Sequence, residues 1–150
     1  MKKVILGCSL IFGLTFMSCS KDDDDNDSVA MTRTEMLCSG DWTMTSSNYV
    51  MNEVEFDLMA LMDTCSWDNF TTYSTDGTLV MDENIDVCEL ASQTIDGSWE
   101  FSEDETVLSV VMGDTIDFNI VSISESEIAL SADEDMLGVT VTMNMTFSQN

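Results

Sequence analysis

The chain has 150 residues, about the length of one domain, with 44% hydrophobic residues and neither proline nor histidine, so it can build one modest core and is not a disordered acidic chain. All 29 Asp and Glu follow Cys19, where Lys21 and Arg33 are the only basic residues, and the whole chain carries a formal net charge of −25. Such a surface repels nucleic-acid phosphates and anionic membrane faces and attracts cations or basic proteins, and the missing histidine removes the commonest general base.

Lys2 and Lys3 precede the apolar run "VILGCSLIFGLTFM", a positive start and an apolar stretch in the form of a signal peptide. The run is shorter than the roughly 20 apolar residues of a membrane span. It ends at Phe16-Met17-Ser18-Cys19, which resembles a bacterial lipobox, where cleavage precedes the cysteine and its thiol takes a diacylglycerol. Ser18 is small, as that motif requires, and Phe16 stands where leucine is usual. Ile5 to Cys8 has a similar look but leaves too little apolar length before the cut. The expectation is a signal peptide over residues 1–18 and a membrane anchor on Cys19. The next residues, "SKDDDDND", resemble the acidic export signal of Bacteroidetes lipoproteins. That resemblance implies a lipid-anchored protein on the outer face of the outer membrane, the alternative being a periplasm-facing lipoprotein with a solvated linker. Either way residues 19–30 read as a flexible, self-repelling tether.

Residues 31–150 read as one β-domain. "VAMTRTEMLCS" (Val29 to Ser39) predicts a short helix, with Thr32 and Thr34 as caps, Glu35 in the first turn and Gly40 as the stop. Period-two patterns follow. Asp41 to Val50 places Trp42 and Met44 on one face, and Asn52 to Asp63 suggests a short helix or a loop packed on the core. Asn69 to Ser74 and Thr78 to Met81 flank Asp76-Gly77, a hairpin turn signal. Thr94 to Phe101 aligns Ile95, Gly97, Trp99 and Phe101, and Thr106 to Met112 aligns Leu108, Val110 and Met112. Thr115 to Ser124 keeps Ile116, Phe118 and Ile120 in step, after which Val121 and Ile123 fall out of step and suggest a bulge. Glu127 to Ala132 is a short strand. The last strand has Val139, Val141, Met143, Met145 and Phe147 on one face and polar residues on the other. Eight strands joined by short turns predict an all-β, up-and-down antiparallel barrel with a short N-terminal helix. A sandwich is the second choice.

"MLCSGDWTM" (Met36 to Met44), "CSWDNFTTYSTDGTLVMDENIDVC" (Cys65 to Cys88), "GSWEFSEDETVLSV" (Gly97 to Val110), "FNIVSISESEIALS" (Phe118 to Ser131) and the terminal "VTVTMNMTF" together resemble the lipocalin-like domains of Bacteroidetes lipoproteins. The resemblance runs from about Met31 to Phe147. It implies the barrel and the envelope location more than any activity. It also implies a Cys65–Cys88 disulfide, because the family block brackets its central hairpin with two cysteines. Cys38 is then left as a buried thiol under the barrel mouth.

Catalytic signals are few. Ser and Cys have no histidine partner, a phosphate-binding glycine loop is missing, and carboxylate pairs occur by chance among 29 acids. Asp82-x-Asn84-x-Asp86 mimics the start of a calcium loop, but Val87 stands in place of the glycine and Gln93 in place of the final glutamate, so it reads as a surface turn. No cofactor or metal is expected. The residues placed to line a ligand cavity are Trp42, Trp99, Phe101, Phe118, Val141 and Met143, against the plainer reading that they fill the barrel. The expected function is a non-catalytic envelope lipoprotein binding a small apolar ligand. The alternative is a filled barrel that meets a basic protein or a cation through its acidic surface. Nucleic acid is not an expected partner.

Overall fold

The computed structural model describes residues 30–150 apart from residues 90 and 137. The expected signal peptide, Cys19 and all of the tether before residue 30 lie outside the described residues.

A five-residue helix, α1 (Arg33–Leu37), comes first. It is shorter than the predicted Val29 to Ser39 because Thr32 caps it: the Thr32 hydroxyl accepts from the Glu35 N–H at 3.2 Å and the Thr32 N–H donates to the Glu35 carboxylate at 2.7 Å. This reciprocal pair fixes the first turn. The Thr32 N–H, and after it the Thr32 hydroxyl donating at 2.9 Å, hold the Glu35 carboxyl below its ordinary pKa.

Nine strands follow: β1 (Asp41–Met51), β2 (Val54–Asp57), β3 (Phe70–Tyr73), β4 (Thr78–Asp82), β5 (Thr94–Phe101), β6 (Val107–Met112), β7 (Asp114–Ile123), β8 (Glu127–Met136) and β9 (Val139–Gln149). All pair antiparallel, in the order β1-β3-β4-β5-β6-β7-β8-β9, and β9 pairs back onto β1. The result is the closed eight-stranded barrel that the spacing of the strands predicts. Gly97 lets β6 approach β5, since a Cβ there would lie 2.4 Å from the Val111 carbonyl oxygen.

β2 is an addition. It pairs with β1 above the point where β3 leaves it, through Met51↔Val54 to Asn48↔Asp57. Asn52 to Asp63 is therefore a strand and a 3₁₀ turn (Met59–Leu61), where the sequence suggested a helix or loop. The hairpin turn holds Asn52 at φ 51° and Glu53 at φ 65°. Glycine usually supplies that conformation at the second position. β8 also runs past the predicted end at Ala132, because Asp133 to Met136 pair with Val139 to Thr142. The predicted bulge is present: pairing passes from Ile120↔Leu130 to Ser122↔Ala129 and skips Val121.

The chain direction defines two ends. β1 starts at a floor that holds α1 and the turns after β3, β5 and β7. The mouth holds the β1–β2 turn, residues 58–69, the loop 83–93 and the turns at Gly113 and Gly138. Trp42 is 1% exposed, and its Nε1–H donates to the Leu37 carbonyl at 2.8 Å, fastening α1 across the floor. Trp99 donates to the Ser74 carbonyl at 3.0 Å. Its ring meets Tyr73 and Phe101 edge-on at 5.9 and 5.3 Å, the arrangement that aromatic quadrupoles favour.

Candidate functional site

The inward-facing rows of the strands enclose a cavity of about 290 Å³. Five methionines line it, Met44, Met81, Met112, Met143 and Met145, together with the aromatic rings of Tyr73, Phe118 and Phe147 and the aliphatic Val110, Ile116 and Leu130. They come from seven of the eight barrel strands. Met112 and Ile116 are also exposed, so the cavity communicates with solvent at the mouth. Burial pushes the Tyr73 hydroxyl up to about 12, and no charged side chain lines the cavity. The volume lies near the lower end of small-molecule sites. Methionines are flexible and polarisable, which suits a wall that must adapt to an apolar guest.

A second apolar space of about 290 Å³ adjoins the mouth, lined by Tyr49, Met51, Phe56, Leu58, Leu61, Met136 and Val141. Val141 and Met143 are successive inward positions of β9, so this groove continues the cavity wall upward. Its upper rim is open, with Leu61 77% exposed. The barrel also parts here. β7 and β8 pair only over Asn119–Ile123 and Ile128–Ser131, whereas β8 stays paired with β9 up to Met136 and β7 with β6 up to Asp114. Above Asn119 a seam between β7 and β8 opens toward the cavity.

The six residues read as ligand-lining do not share one space. Phe118 and Met143 line the cavity and Val141 lines the groove above it. Trp42 borders only a small space of about 100 Å³ beside the segment 58–69. Trp99 and Phe101 pack in the floor. Val141, Met143 and Met145 occupy the inward row of β9. Sequence reading missed Met44, Met81 and the groove residues Tyr49 and Phe56. The alternation in β1 and β4 was a signal for the first two, and nothing local marked the groove.

Cys65 and Cys88 are disulfide-bonded, with Cα atoms 5.3 Å apart. The bond ties the segment 58–69 to the loop 83–93 beside the mouth. Buried Glu83 supports the same loop, accepting from Asn69 Nδ2 at 3.2 Å and from the Cys88 N–H at 3.1 Å. Asp82 also serves the loop, accepting from the Asn84 N–H at 2.8 Å and from Gln93 Nε2 at 2.6 Å, so the calcium-like spacing here is spent on a turn. Replacing both Cys65 and Cys88 with serine should lower the unfolding free energy by about 3 kcal/mol, the loop-closure entropy of a cross-link of this length. A denaturant melt of the double variant measures it. A loss below about 1 kcal/mol would mean that the Glu83 and Asp82 bonds alone hold the loop. Cys38 is a free thiol at the C-terminal cap of α1, half-buried in the floor, so its expected place under the mouth is corrected. Burial, with the nearby Asp76 charge second, pushes that thiol up and keeps it protonated and unreactive at neutral pH.

No family model matches the chain, and no curated protein matches it. The chain is similar to the solved structure of a complex of bovine odorant binding protein with a selenium-containing odorant. The identity is 12% and the TM-score 0.47, over 81% of this chain and 74% of that one.

Proposed function

We propose that the protein is a non-catalytic cell-envelope lipoprotein whose barrel holds a small apolar ligand. The observation that carries the ligand reading is the apolar, methionine-rich cavity of about 290 Å³ opening at the mouth. Desolvating an apolar guest in such a wall is favourable at about 25 cal/mol per Å² of surface removed from water. None of the residues lining it carries a charge, so the guest need not be polar. Titration with the neutral fluorescent probe N-phenyl-1-naphthylamine tests the reading. Saturable one-site binding supports it, and unchanged fluorescence up to probe solubility removes it.

The envelope part rests on the seam Phe16 to Cys19 and on the aspartates Asp22 to Asp25. In this proposal residues 1–18 are removed, Cys19 carries the lipid, and the acidic tether accompanies display on the outer face of the outer membrane. Cys19→Ala should abolish acyl labelling and release the protein from the membrane fraction. Unchanged labelling in that variant would refute the anchor.

A further inference from the structure

We infer that the ligand of this cavity is a cationic amphiphile, an apolar body carrying an ammonium head that stays at the mouth. The inference rests on the apolar-ligand reading above and adds the charge of the guest. Three observations carry it.

The first is the wall. The cavity is uncharged and near the lower end of ligand-site volumes, so a polar head of any longer molecule remains at the opening. The second is what continues the inward rows there. On β7, Asp114 lies two positions beyond the cavity residue Ile116 and pairs with the cavity residue Met112. On β8, Glu134 lies between Ala132 and Met136 and pairs with the groove residue Val141. Both carboxylates are exposed, and they flank the seam where β7 and β8 are unpaired. The adjoining groove adds the rings of Tyr49 and Phe56, whose faces attract ammonium groups. The third is the distribution of positive charge. Residues 34–150 contain no lysine, arginine or histidine. Arg33 sits at the floor, where its guanidinium donates to the Glu105 carbonyl. A carboxylate, sulfate or phosphate head at the mouth therefore meets like charge and finds no side-chain cation. Rejection of the wrong charge is specificity by repulsion. Asp114 and Glu134 are then specificity-determining residues.

The test uses three probes with the same dansyl-undecyl body and different heads: an ammonium, an uncharged methyl and a carboxylate. They are titrated into the full-length protein at low salt. The ammonium probe should bind about tenfold more tightly than the carboxylate probe, the sum expected of two exposed charge contacts, with the uncharged probe between them. Asp114→Asn with Glu134→Gln should reduce that ratio at least by half while leaving the uncharged probe unaffected. Both substitutions are at exposed positions and preserve shape, and an unchanged melting curve confirms the fold. A control at the floor, Glu103→Gln with Glu127→Gln, should leave the ratio as it was. Equal binding of the three probes would overturn the charge inference while leaving the apolar cavity standing. A preference that salt removes but that the mouth variant does not alter would assign it to the field of the whole protein and overturn the role of these two residues. Failure of the uncharged probe to bind would refute the underlying ligand reading itself.

Discussion

Trp42→Ala should lower the unfolding free energy by about 3–5 kcal/mol, the range for emptying a buried tryptophan site. Trp42 is 1% exposed and belongs to the buried core with Leu37, Tyr73 and Leu79. Two losses coincide. The first is the cavity left by the ring. The second is the Nε1–H bond at 2.8 Å to the Leu37 carbonyl, which satisfies an acceptor at the end of α1 that the helix itself leaves open. With α1 unfastened, Leu37, which is fully buried, loses the surface that holds it. Trp42→Phe separates the two losses: it keeps most of the ring and removes only the bond, for about 1 kcal/mol. At roughly 4 °C per kcal/mol for a domain of this size, the alanine variant should melt about 12–20 °C below the parent. Equal effects of the two substitutions would show that the bond, not the packed ring, closes the floor.

How far the sequence reveals this barrel differs between its parts, for physical reasons. β9 was readable because the alternation Val141, Met143, Met145, Phe147 is uninterrupted, with Val141 buried and the other three partly buried against the core. Asp76-Gly77 marked its hairpin because Gly77 takes φ 84° and the Asp76 carboxylate accepts from the Thr78 N–H at 3.0 Å. The β1–β2 hairpin was hidden because its left-handed turn is Asn52-Glu53 and its short second strand is exposed throughout. The end of β8 was hidden because "DED" is what a loop looks like. Its backbone nonetheless pairs with β9 while the carboxylates stay in water. The cavity was half legible. Periodicity assigns a residue to the inner face but says nothing of which neighbours it meets there. Trp99 and Phe101 pack into the core, whereas Met143 and Phe118, which shares a paired row with Phe101 through Leu108, line the open space. Those neighbours depend on register between strands distant in sequence, and register is set by the closed sheet as a whole.

Met143→Trp should abolish binding of the naphthyl probe and leave the unfolding free energy within about 1 kcal/mol of the parent or above it. The two readings of the barrel make opposite predictions here. In a filled barrel the larger side chain overpacks its neighbours and costs on the order of 1–3 kcal/mol. In the structure Met143 borders the cavity of about 290 Å³. The indole therefore enters empty volume and gains contacts that the methionine lacked. The same volume is what the probe needs, so the guest is excluded. Leu108→Trp is the matched control. Leu108 is 1% exposed in the floor, opposite Phe101 and Phe118, and does not line the cavity, so the added bulk there should cost the full overpacking penalty while Met143 still borders an open site. A denaturant melt of each variant with and without probe reads both quantities. Comparable destabilisation by the two tryptophans, with no probe bound by the parent, would mean that the space around Met143 closes in solution. The function would then lie on the acidic outer surface, facing a basic partner.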